Sequence, residues 1–140
     1  MPRVFVYGTL RAGEVNDLNR AADRHGIQPP ILLGTGSVSG RLHDFGTYPG
    51  LVLDAAAGSV IGDIYDIPDA LLPVLDEIEE VYPGQATLFI RESRVVMLDG
   101  APTDCLLYPV AESAVAGLAR IDSGDWVAYR QARDTSAAAA

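Results

Sequence analysis

The sequence predicts an α+β fold: a small mixed or antiparallel sheet curled into a β-barrel, with flanking helices. Three observations carry this expectation. Strand-like runs outnumber helical ones, the two kinds do not alternate regularly, and glycines interrupt the longest β-favouring stretch, as in a strand that bends. The chain has 140 residues, 49% of them hydrophobic, enough for one domain with a sizeable core. That domain is expected over residues 1–133, with 134–140 as a disordered tail.

Each element has its own signal. Val4-Phe5-Val6 is an apolar run that reads as a buried strand. Asn16 to Arg24, closed by Gly26, has the composition of a short helix with a glycine stop, and Pro29-Pro30 resets the chain to extended geometry. Ile31 to Leu42 reads as a bent strand broken by Gly34, Gly36 and Gly40. His43 to Gly50 is turn chemistry, and Leu51-Val52-Leu53 is a strand. Val60 to Ile67 is another, after which Pro68 opens a helix at a favoured position. Two more strands are expected around Leu88 to Met97 and Thr103 to Tyr108. Asp122 to Arg130 reads as a short helix or an ordered loop, and Asp134 onward as a frayed tail. There is no internal repeat and no linker.

The formal net charge of −9 repels a phosphate backbone or an anionic membrane surface, so neither nucleic acid nor membrane is an expected partner. No apolar run approaches the ~18–20 residues of a spanning helix. A strand begins so near Met1 that no secretory signal is expected. Cys105 has no internal disulfide partner, which suits a reducing cytoplasm.

The most informative stretch is Val6-Tyr7-Gly8-Thr9-Leu10-Arg11-Ala12. A glycine at a strand exit lets the backbone approach a ligand, and the N–H groups of the following turn can face an anion. Gly8 and Gly13 have the spacing of a nucleotide-phosphate loop, but Glu14 stands where lysine is required. All ten basic residues are arginine, so that loop is excluded.

A second segment, Leu71 to Glu80, carries acids on a helical pattern. At about 100° per residue with Leu75 as zero, Leu71 falls near −40°, Ile78 near −60° and Leu72 near +60°, which defines the buried stripe. On the same count Asp76 and Glu80 lie at about +100° and +140°, with Glu77 opposite the stripe. Glu79, at about +40°, is the acid whose position points inward. An apolar setting and the neighbouring acids raise a carboxyl pKa towards the range of a general acid/base. The competing reading is that Glu79 ends the helix and turns to solvent, or pairs with Arg91 or Arg94.

Five segments, in order, resemble the γ-glutamylcyclotransferase-like family and its small bacterial, AIG2-like branch. They are Tyr7-Gly8-Thr9-Leu10-Arg11, Leu42 to Gly50, Val60-Ile61-Gly62-Asp63-Ile64-Tyr65, Leu75-Asp76-Glu77-Ile78-Glu79 and Gly124-Asp125-Trp126. Three positions depart from the family pattern: Glu80 replaces a glycine, Phe89 a tyrosine and His43 a tyrosine. The resemblance implies a mixed barrel with a cavity at the opening motif. It also implies a reaction in which the free α-amine of a γ-glutamyl compound attacks its own γ-carbonyl, giving 5-oxoproline and a released amine. Glu79 is then the acid/base. Tyr7, Gly8, Thr9, Leu10 and Tyr48 bind the substrate, and no metal or cofactor is needed because the nucleophile belongs to the substrate. The alternative is a non-catalytic small-ligand-binding or regulatory domain of the same fold.

Simpler readings stand beside these. Tyr7 reads equally as a core tyrosine, Thr9 as a turn residue, and Tyr48-Pro49-Gly50 as a tight turn. Arg11 reads as a carboxylate partner or as a solvated surface charge, Asp63 and Tyr65 as structural. His25 and His43 lack companions at zinc spacing, Cys105 reads as a small buried hydrophobe, and Trp126 as an anchor of the C-terminal segment.

Overall fold

The computed structural model describes residues 2–11, 14, 17–46, 48–75 and 92–139, with side chains as far as Asp134. Six strands make one mixed sheet: β1 (Arg3–Val6), β2 (Ile31–Asp44), β3 (Pro49–Leu53), β4 (Ser59–Asp66), β5 (Glu92–Leu98) and β6 (Ala101–Leu107). Their order is β3-β2-β4-β1-β6-β5, and a further pairing of β2 with β5 closes five of them into a barrel. Closure falls at Gly36 and Ser37, opposite Leu98 and Met97. A side chain at position 36 would meet the Met97 carbonyl oxygen at 2.9 Å, so the close approach of the two strands requires glycine there.

The expected bent strand is therefore β2, and its fourteen residues serve three neighbours in turn. Ile31 to Ser39 pairs with β4, across a register shift at Leu32/Gly34, and Gly40 to Asp44 pairs with β3. β3 hangs on this second half, outside the closed ring. Pro49 stands at its first position, where the missing N–H costs no ladder bond.

β1 runs through the middle of the ring, antiparallel to β4 and parallel to β6. Phe5 faces inward with Leu42, Leu51, Ile64, Val96, Cys105, Leu107, Ile121 and Trp126. Val4 and Val6 face outward, where α1 (Leu18–Arg24) covers them with Leu18, Ala21 and Ala22. Burial on both faces explains the unbroken apolar run of β1. The side chain of Asp17 caps α1 by accepting the Asn19 N–H at 2.9 Å.

A 3₁₀ turn (Asp69–Leu71) follows Pro68, and its helical backbone continues to Leu75. The C-terminal segment is the main departure from expectation. Instead of a short helix or loop followed by a tail, α2 (Trp126–Ala139) is a single helix of fourteen residues. Alanine has the highest helix propensity, and Arg130 pairs with Asp134 one turn on at 3.2 Å, so the helix runs through Asp134 rather than fraying before it. Among the described residues no helix is long and apolar enough to cross a membrane.

Candidate active site

The opening motif lies where β1 leaves the barrel. The buried Tyr7 hydroxyl donates to the Tyr108 carbonyl at 2.6 Å and accepts the Leu51 N–H at 3.2 Å, tying together the exit of β1, the exit of β6 and the middle of β3. The next residue, Gly8, sits against the Pro49 ring: a Cβ there would lie 2.7 Å from both Pro49 Cδ and Cγ. Only glycine lets the two turns approach so closely. Tyr48, also buried, stacks on Phe45 at 5.4 Å between centroids. The Arg11 N–H donates to the Gly8 carbonyl at 3.0 Å and closes the turn, within which Thr9 and Leu10 are buried. The structure thus brings Tyr7, Gly8, Thr9, Leu10 and Tyr48 to one end of the barrel.

The stretch that leads towards the candidate acid packs against the same turn. Leu71, Val74 and Leu75 share one apolar cluster with Leu10, Tyr65 and Tyr108, and Leu72 sits at its margin. Glu79 itself lies outside the described residues, as do Glu80, Phe89 and Arg91.

Arg11 corrects one expectation. Its side chain is only 13% exposed rather than a solvated surface charge, with Nη2 3.4 Å from Asp63 Oδ1 and Nη1 3.1 Å from Asp125 Oδ1. The Tyr65 hydroxyl beside it is pushed up to about 12, first by burial and then by Asp63 and Asp17, with Arg11 opposing them. Among the described residues neither this hydroxyl nor Arg11 Nε has a hydrogen-bond partner, so two buried donors beside the turn remain for water or a polar ligand.

Glu14 enters the same rim, which its sequence position did not foretell. Its side chain is 5% exposed and binds Arg130 through two bonds, Nε to Oε1 at 2.9 Å and Nη2 to Oε2 at 2.7 Å. That carboxylate holds the Arg130 guanidinium still more firmly protonated. His43 is elsewhere: its Nδ1 lies 3.4 Å from the Leu118 carbonyl and its backbone bridges to Arg120. Among the described residues no three His, Cys, Asp or Glu side chains gather as a metal site.

The Gly124-Asp125-Trp126 segment acquires a physical reason at each position. Gly124 has φ +67°, and a Cβ on it would collide with the Ser59 carbonyl oxygen. Asp125 pairs with Arg11 and also accepts the Ala128 N–H at 3.2 Å, capping α2. Trp126 is fully buried in the barrel interior.

The chain is similar to known proteins. A Halalkalibacterium halodurans protein named for gamma-glutamylcyclotransferase activity is 33% identical over 95 residues, 67% of this chain and 84% of that one. The gamma-L-glutamyl-butirosin B gamma-glutamyl cyclotransferase of Niallia circulans is 38% identical over 94 residues, 65% of this chain but only 55% of its own length. The crystal structure of a mouse AIG2-like protein superposes with a TM-score of 0.69 at 25% identity, covering 87% of this chain and 86% of that one. The family model described as gamma-glutamyl cyclotransferase, AIG2-like, matches residues 4–128, and the chain belongs to that family.

Proposed function

We propose that this protein releases 5-oxoproline from a γ-glutamyl amine, amino acid or peptide, with Glu79 as general acid/base. The observation that carries the reading is the shared packing of Leu10, in the opening turn, with Leu71, Val74 and Leu75. On the sequence's helical count, position 79 shares the side of Leu71 and Leu75, and the burial of those two supports the reading.

In this reading the N–H groups of Gly8, Thr9 and Leu10 hold the substrate α-carboxylate. Tyr7 and Tyr48 shape the wall against which the γ-glutamyl chain folds back. Glu79 takes a proton from the α-ammonium, and the freed amine attacks the γ-carbonyl carbon to close a five-membered ring. As the bond from that carbon to the leaving nitrogen breaks, Glu79 returns the first proton to that nitrogen, and the second proton of the attacking nitrogen follows through the same carboxylate, leaving a neutral lactam and a released ammonium. Attacking amine and carbonyl belong to one molecule, so the protein's task is to hold the folded-back conformer and pass protons from the attacking to the leaving nitrogen. The Niallia circulans relative, whose name gives gamma-L-glutamyl-butirosin B as its substrate, supports a small γ-glutamyl compound as the substrate here. The buried thiol of Cys105 fits the reducing cytoplasm to which we assign the enzyme.

The test is 5-oxoproline release from a panel of γ-glutamyl amino acids, γ-glutamyl amines and glutathione, with wild type and Glu79→Gln side by side. Release by wild type with a loss of at least about 10²-fold in the variant is the expected result. An equally active variant would remove Glu79 from the mechanism. Binding without turnover across the panel would make the protein a ligand-binding domain of this fold.

A further inference from the structure

The family match ends at residue 128, yet α2 continues to Ala139, and its side chains beyond the match reach both turns of the candidate site. Arg130 holds Glu14 in the two-bond fork described above. The Glu14 N–H donates to the Arg11 carbonyl at 3.0 Å and the Arg11 N–H to the Gly8 carbonyl at 3.0 Å, so the grip passes directly into the opening turn. One turn of helix further on, Arg133 Nη1 donates to the Gly46 carbonyl at 2.7 Å and lies 3.3 Å from Asp44 Oδ2. The Tyr129 hydroxyl donates to the same carboxylate oxygen at 2.7 Å. Asp44 and Gly46 stand at the start of the loop that delivers Tyr48 and Pro49. The N-terminus of α2 adds a second hold on the first turn, through Asp125 and Arg11.

We propose that α2 is a clamp across the mouth of the barrel, and that Arg130 is a positioning residue that fixes the Gly8–Leu10 N–H groups for the substrate α-carboxylate. The inference rests on the reading of that turn as the carboxylate site. Its physical basis is that a carboxylate as buried as Glu14 cannot be left without its cation. If Arg130 is removed, the buried Glu14 side chain loses its forked partner and must swing towards water, and that movement drags the turn with it. Displacing donors by about 1 Å is enough to cost substrate binding heavily. The chemical step, which the clamp does not touch, is left alone.

The experiment compares Arg130→Ala and Arg130→Lys with wild type in two readouts: amide exchange at residues 8–11 by NMR, and KM and kcat on the best substrate of the panel. The clamp requires faster exchange at residues 8–11 in Arg130→Ala. It also requires KM to rise about tenfold with kcat within about twofold, and Arg130→Lys to recover part of both. Unchanged exchange at residues 8–11 overturns the clamp, whatever the kinetics. Faster exchange with unchanged KM overturns the turn as the carboxylate site, and the positioning role with it. If wild type turns over nothing in the panel, the functional reading fails by itself, and the exchange rates still decide the clamp.

Discussion

The barrel interior and the rim at the exit of β1 are both nearly dry, yet different forces hold them. Inside, Phe5, Ile64, Leu107, Ile121 and Trp126 are at most 2% exposed and meet only through apolar packing. At the rim, Arg11, Asp63 and Glu14 are at most 13% exposed and are fixed by ion pairs with Asp125 and Arg130. Apolar burial stabilises in proportion to area and is indifferent to direction. A forked guanidinium–carboxylate pair is directional, and losing one partner of a buried pair costs more than the pair contributes. The interior is therefore suited to supplying stability, and the rim to holding a geometry.

Phe5→Ala gives the largest effect expected from this contrast. Removing that ring from the centre of the barrel should lower the unfolding free energy by about 3–5 kcal/mol, read by urea denaturation. The fraction that stays folded should keep its KM within about twofold of wild type. A large rise in KM would show that the interior also sets the geometry of the rim, and the contrast would fail.

The reverse pattern is expected of Gly8→Ala. The new methyl meets the Pro49 ring, a backbone-anchored neighbour that cannot rotate aside. Overpacking of this kind costs about 1–3 kcal/mol. The strain is relieved by parting the two turns, so KM should rise by about tenfold or more, out of proportion to the loss of stability. If stability fell while KM stayed within about twofold, as expected of Phe5→Ala, the junction of the two turns would be packing alone.

What could be read beforehand divides along the same line. Strand positions came from local pattern, and the bent β2 was visible because Gly36 and Gly40 break a β-favouring run. β1 was visible because burial on both faces leaves an unbroken Val4-Phe5-Val6. The apolar stripe of Leu71 and Leu75 followed from helical spacing, and both are fully buried. The rim left no such trace. Arg11 and Asp125 are 114 positions apart, and Glu14 and Arg130 are 116 apart. No periodicity relates charges at that distance, so nothing in the sequence paired them before the fold joined them. The alanine-rich end of α2 misled for a related reason. Composition at a terminus suggests fraying, whereas Arg130 and Arg133 dock the helix on both turns.

The smallest effect concerns a titratable group on the interior side of the contrast. Cys105 lies inside the barrel at 2% exposure, and burial pushes its thiol from 9.0 up to about 11, with the charge of Arg3 opposing the shift. A pKa raised by folding means that the native state favours the protonated thiol. Its contribution is complete below pH 9 and is lost as the pH rises towards 11, because the unfolded chain ionises first. Between pH 9 and 10 the unfolding free energy should fall by about 1 kcal/mol on this account. Cys105→Ala should remove most of that slope while adding a cost that does not vary with pH. Tyr65, raised from 10.0 to about 12, takes over at higher pH, so the variant regains a slope above pH 10. A variant that keeps the wild-type slope between pH 9 and 10 would mean that water reaches the barrel interior. The dry, charge-free side of the comparison would then have to be given up.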